Sequence, residues 1–116
     1  MTFEEVSTML KTVGIPTAYR AFSEDSGQQP PFIVFYYDSS RDVYADDSNY
    51  QRIERMYVEL YTDEKDFGME AAVEEVLTEN GLTWTRQETY IDSEKMYEVI
   101  YQMDVVITTT VTTEGV

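Results

Sequence analysis

This 116-residue chain contains neither cysteine nor histidine, and the side chains whose grouping suggests chemistry are its carboxylates and phenols. That excludes disulfides, thiol nucleophiles, thiolate and imidazole metal sites, and any triad with an imidazole base. Two carboxylate groups have spacing worth testing. Asp38, Asp42, Asp46 and Asp47 offer oxygen ligands of the type that hard cations take. They lack the D-x-D-x-D-G order with a later glutamate, so a solvated acidic loop is expected and no metal is assigned. Glu88, Glu94 and Glu98 could supply an acid and a base, but such a pair needs a pocket that raises one pKa. An exposed sheet edge is the simpler reading. Neither G-x-G-x-x-G nor a P-loop occurs, so no catalytic residue and no cofactor is assigned.

Tyrosine is the unusual component, at ten residues. Tyr36, Tyr37, Tyr44, Tyr50, Tyr57, Tyr61, Tyr90, Tyr97 and Tyr101 fall on or beside expected strands. About half are expected as core aromatics with a hydrogen-bonded hydroxyl. Tyr57 and Tyr61 instead share a wetter face with Arg55 and Glu59, and mixed Tyr and Arg is what interface centres favour. Arg55, Tyr57, Glu59 and Tyr61 of that face, with Tyr44, Asp46 and Tyr50 of the Asp38–Tyr50 loop, are the candidate subunit-interface residues.

A formal charge of −15 rules out a basic nucleic-acid footprint and suits neither DNA nor an anionic membrane surface. It serves solubility, repels DNA, or faces a basic protein. No apolar run approaches the roughly 20 residues of a membrane span, and no signal-peptide pattern opens the chain.

The elements follow from periodicity and punctuation. Thr2 and Glu5 form a capping box, Phe3, Val6, Leu10 and Val13 make an apolar stripe, and Gly14 and Pro16 end the helix. Thr17–Phe22 is a short strand, Ser23–Pro31 a turn, and Phe32–Tyr37 a strand covered on both faces. Asp38–Tyr50 is expected as a long exposed connection, with Val43–Ala45 as an optional edge strand. From Tyr50 to Thr62 the period is two: Met56, Val58 and Leu60 point one way, Ile53, Arg55, Tyr57, Glu59 and Tyr61 the other. Asp63 is the expected N-cap of a helix carrying Phe67, Met69, Ala72, Val73, Val76 and Leu77, closed by Asn80-Gly81. Leu82–Ile91 and the strand from Met96 through Ile107 make a hairpin, with Tyr97, Val99, Tyr101, Met103, Val105 and Ile107 on one face. The order α-β-β-(β)-β-α-β-β implies an α+β domain over 1–107: a mainly antiparallel sheet with two helices packed on one face. Residues 108–116 are expected as a flexible tail or an arm ordered in an assembly.

The stretches Tyr44-Ala-Asp-Asp-Ser-Asn-Tyr50, Val58-Glu-Leu-Tyr-Thr-Asp-Glu-Lys-Asp66, Met69-Glu-Ala-Ala-Val-Glu-Glu-Val-Leu77 and Glu88-Thr-Tyr-Ile-Asp-Ser-Glu-Lys-Met-Tyr-Glu-Val-Ile-Tyr101, with Ile15-Pro-Thr-Ala-Tyr19, resemble small tail components of long-tailed phages and prophages. That group is similar to the tail-terminator, or tail-completion, proteins, and the resemblance spans residues 15 to about 105. It implies a non-enzymatic α+β subunit of a homo-oligomeric ring, commonly a hexamer, that caps the tail tube and meets the head-completion proteins. DNA would pass through without specific binding. The implied location is the virion tail or head–tail junction, after assembly in the host cytoplasm. The alternative from a different class is an acidic binding module, such as a DNA-mimic inhibitor of a host nucleic-acid enzyme; a carboxylate enzyme ranks third.

Overall fold

The computed structural model describes residues 1–45 and 49–110, without the side chains of 24, 42–45, 49–50 and 109–110. Helix α1 spans Phe3–Lys11 and is capped as the sequence indicates: the Thr2 hydroxyl accepts from the Glu5 N–H while the Glu5 carboxylate accepts from the Thr2 N–H. The Thr2 backbone N–H, and after it the Thr2 hydroxyl, hold the Glu5 carboxyl below its usual pKa by hydrogen bonding to it. The helix presents Val6, Met9 and Leu10 to the core, and Gly14 takes the left-handed conformation (φ 92°) that ends it. Phe3, at the start of the same stripe, is 42 % exposed and lies edge-on to Tyr37.

Strand β1 is Thr17–Tyr19, three residues shorter than expected, because Arg20 turns left-handed at φ 67° and leaves the sheet. Strands β2 (Phe32–Ala45) and β3 (Asn49–Thr62) form an antiparallel pair of 14 residues each. The expected exposed connection over 38–50 is therefore corrected: all of it that is described is strand. Residues 38–41 are exposed, which suits their polar composition, while the edge of β2 that faces β3 is hydrogen-bonded to it along this length. Irregularities between Tyr37 and Ser39 and between Asp42 and Tyr44 absorb the residues that break the alternation. The optional edge strand at Val43–Ala45 is the far end of β2.

Helix α2 spans Phe67–Glu79, and its N-cap is Asp66 rather than Asp63: Asp66 Oδ1 accepts from the Met69 N–H at 2.9 Å. Asp63 accepts from the Glu64 N–H instead, in the turn before it. Val73 and Leu77 are buried, Asn80-Gly81 closes the helix, and Phe67 is 72 % exposed beneath the Lys65 ammonium. Strands β4 (Trp84–Ile91) and β5 (Met96–Thr110) complete the chain. The strand β5 runs past Ile107, and residues 108–110 pair with 49–51 of β3.

The sheet order is β1-β2-β3-β5-β4, antiparallel except for β1 alongside β2. Both helices pack on one face, over Ile33, Phe35, Met56, Val58, Leu60, Val99, Tyr101 and Met103. The long central strands stretch the molecule to 54 × 32 × 23 Å, with a radius of gyration of 16.1 Å. A compact chain of this length would measure roughly 13 Å.

Candidate functional site

Since the helices cover one face, the period of two delivers alternate residues of the same strands to an open face. Tyr36 of β2 stands directly opposite Tyr57 of β3, and Phe32 opposite Tyr61. Their rings stack, with centroids 5.3 Å apart for Tyr36–Tyr57 and 4.9 Å for Phe32–Tyr61. Such cross-strand aromatic pairs each contribute about 0.2–1 kcal/mol to the sheet. The hydroxyls then bind the carboxylates between them. Tyr36 Oη donates to Glu59 Oε2 at 3.0 Å, and Tyr61 Oη lies 2.8 Å from Glu59 Oε1 and 2.5 Å from Glu98 Oε2. The Tyr61 hydroxyl has one hydrogen, so it serves one carboxylate at a time. Beside this row, the guanidinium of Arg20 sits 5.2 Å from the Tyr36 ring centroid. The loop that follows overhangs a 440 Å³ cleft lined in part by Arg20, Phe22, Gln28, Phe32, Glu59 and Tyr61. Farther along the face Arg55 Nε approaches Asp104 Oδ1 at 3.5 Å, an exposed pair of little energetic weight.

This environment keeps the phenols neutral. Burial, then the hydrogen bond to Glu59, pushes the Tyr36 phenol up to about 12. Burial, reinforced by Glu98 and Glu59, holds Tyr61 far above its ordinary value. A folded-state pKa above the unfolded one near 10 means stability is complete below pH 10 and falls as pH rises toward 12, because only the unfolded chain releases the proton there. Urea melts between pH 8 and pH 12 (order-of-magnitude limits around the phenol range) are expected to show this alkaline decline. Tyr61→Phe, which removes one such proton, is expected to flatten it; an unchanged slope would contradict the assignment.

Of the candidate interface residues, Arg55, Tyr57, Glu59 and Tyr61 all lie on the open face, as their spacing requires. Tyr50 pairs with Ala45, and Tyr44 with Gln51, near the end of the β2–β3 pair. Asp46 lies outside the described residues. Tyr36 and Glu98, like Phe32, Arg20 and Asp104, were missing from the candidates. Tyr36 sits in an unbroken apolar run that conceals which residues alternate outward, and Glu98 was set aside as a possible acid or base. Glu98 in fact faces Tyr61, whereas Glu88 is on the helix side with Lys65 and Arg86. The two carboxylates are thus on opposite faces. Among the described residues no cluster of three Asp or Glu could hold a metal ion.

The helix side carries a second polar group. Glu70 of α2 is 4 % exposed and accepts from Lys65 Nζ at 2.6 Å and from Arg86 of β4. Lys65 also reaches Glu88, and Tyr101 Oη donates to Glu74 at 2.7 Å. Burial alone would lower the pKa of Lys65 and Arg86, but the carboxylates outweigh it and raise both. This group joins α2 to β4 and to the segment before α2.

No family model and no curated protein sequence matches the chain. Its architecture does match solved structures. One is a subunit of the virion of a native gene transfer agent particle, at a TM-score of 0.52 and 8 % identity, over 92 % of this chain and 89 % of that one. Another is the sheath/tube terminator of an extracellular contractile injection system in its extended state, also at 0.52 and 8 %. There 98 % of this chain is covered but 59 % of the terminator, so the chain spans under two thirds of that protein. The chain shares its fold with these two proteins. The open face itself carries stacked rings, carboxylates hydrogen-bonded to phenols and a shallow cleft.

Proposed function

We propose that the chain is a structural subunit of a long-tailed phage or prophage particle: a tail terminator or head–tail joining protein that works by assembly and not by catalysis. The observation that carries this reading is the shared architecture over nearly the full length of both chains with the gene transfer agent subunit. The likeness to the injection-system terminator and the resemblance of residues 15 to about 105 to phage tail components support it. In this reading identical subunits join head to tail into a closed ring, six being the expected number. The ring stands on the end of the tail tube and meets the head-completion proteins. Tyr57, Glu59 and Tyr61 face a neighbour, and acidic residues at the lumen keep passing DNA from adhering.

The DNA-mimic alternative has less support, because it needs carboxylates in a continuous array on one face. Here Glu70 and Glu88 lie on the helix side with cations, while Glu59 and Glu98 are bound to tyrosines on the other. The decisive experiment adds purified protein to tails that lack their terminator and images them by electron microscopy. The expected result is ring density at one tail end, reduced about tenfold in occupancy by Tyr57→Asp through loss of an aromatic contact. Protein that never associates with tail ends would refute the proposal.

A further inference from the structure

The two edges of the sheet are unlike. On the β1 side the outermost strand has three residues, and the exposed length of β2 beyond it is interrupted by two irregularities. Short edges and bulges are how proteins prevent strand addition. On the β4 side, eight residues pair with β5 without interruption, and residues 85–90 are exposed in one run. There is no proline in Trp84–Ile91. The outward N–H and C=O groups of β4 are a regular template for another strand.

The sequence of β4 says which strand fits. Trp84-Thr-Arg-Gln-Glu-Thr-Tyr90 is self-complementary about Gln87. In an antiparallel pairing of two copies centred there, residues at equal distance on either side stand opposite each other on the same face. Arg86 then faces Glu88 of the second copy, and Glu88 faces Arg86, giving two opposite-charge pairs. Thr85 faces Thr89, and Trp84 faces Tyr90. Like charges never meet. All three kinds of pair are among those that stabilise adjacent strands. The side chains can take part, since Arg86 and Glu88 retain 38 % and 41 % of their surface despite their contacts within the chain.

We infer that the free protein forms a two-fold dimer through β4, making one continuous sheet of two five-stranded halves. The contact is short, so the dimer is weak and concentration-dependent. A two-fold contact does not itself close a six-membered ring; it describes the subunit before assembly, with its open edge occupied. The inference is independent of the tail reading, because it concerns purified protein alone.

The absence of cysteine makes the test direct. Across the two-fold axis the Gln87 Cα atoms stand about 4.5–5.5 Å apart, within disulfide reach. Gln87→Cys is expected to oxidise quickly to a linked dimer. Thr85→Cys alone is expected not to, since the two copies of residue 85 are about four residues, or roughly 13 Å, apart along the strands. Thr85→Cys mixed with Thr89→Cys is expected to cross-link. In sedimentation equilibrium, Glu88→Lys places Lys opposite Arg86 twice and is expected to weaken the dimer about tenfold, with its helix and sheet signal intact. Cross-linking of Thr85→Cys as fast as Gln87→Cys would overturn the inference, and so would a wild-type protein that remains monomeric at millimolar concentration.

Discussion

Replacing Tyr101 with alanine is expected to destabilise the protein by about 3–5 kcal/mol, the range for losing a buried aromatic side chain. Tyr101 is fully buried at the middle of β5, where it meets the Trp84 ring edge-on at 5.2 Å and belongs to the cluster under both helices. Its hydroxyl donates to Glu74 at 2.7 Å, so burial and then that carboxylate hold its pKa above the ordinary value. Two effects therefore add in the alanine variant: a cavity between α2 and the sheet, and a Glu74 carboxylate without its donor. Tyr101→Phe separates them, because it keeps the ring and removes the hydrogen bond. Its expected cost is about 1–2 kcal/mol, since the lost bond goes to a charged acceptor that is only partly buried. Urea denaturation of both variants measures the difference. Equal losses would mean that the ring contributes little, contrary to its complete burial.

Replacing Glu70 with alanine is expected to cost about 2–4 kcal/mol. The carboxylate is buried and accepts from two cations that remain partly in water, with 21 % of the Lys65 and 38 % of the Arg86 side chain exposed. Removing one partner of a buried pair typically costs about 3–5 kcal/mol, and the solvent access of both cations here lowers that figure. Replacing the whole group is a different matter. A Lys65→Met, Glu70→Leu, Arg86→Met variant removes the buried charge and leaves only Glu74 and Glu88, 30 % and 41 % exposed, without these cations, while burying more apolar surface, so it is expected to recover most of the loss. Thermal melts of the single and triple variants check both expectations. A triple variant as unstable as Glu70→Ala would show that the cluster's geometry, and not its charge balance, holds α2 to β4.

The fold was legible where one physical signal dominated. The Thr2–Glu5 capping box, the alternation through Met56, Val58 and Leu60, and the β4–β5 hairpin all match the structure. The strand residues 38–45 were misjudged because a polar strand keeps its backbone pairing but lacks the apolar alternation by which strands are recognised. The α2 cap was misplaced because Asp63 and Asp66 are equally good acceptors, and only tertiary packing decides where the helix begins. The site was half legible. The spacing of Tyr57, Glu59 and Tyr61 put them on one face, but their partners Tyr36 and Glu98 come from other strands. No local pattern joins residue 61 to residue 98. Glu70 was hidden for a different reason: a glutamate in the first turn of a helix is ordinarily solvated, and nothing in its neighbourhood along the chain points to Arg86.

The Tyr61 hydroxyl, shared between Glu59 on its own strand and Glu98 on the next, has a consequence for how β3 can sit beside β5. These strands are joined by 33 residues of helix and hairpin (63–95), not by a tight turn that would dictate their alignment. A slip of one residue would turn Glu59 and Tyr61 inward and leave Val58 and Leu60 outward. A slip of two would preserve the faces but carry Glu98 away from Tyr61. The buried aliphatic rows forbid the first error, and they are nearly indifferent to the second. The phenol between two carboxylates, together with the weaker Arg55–Asp104 pair, distinguishes the native alignment from its neighbour two residues away.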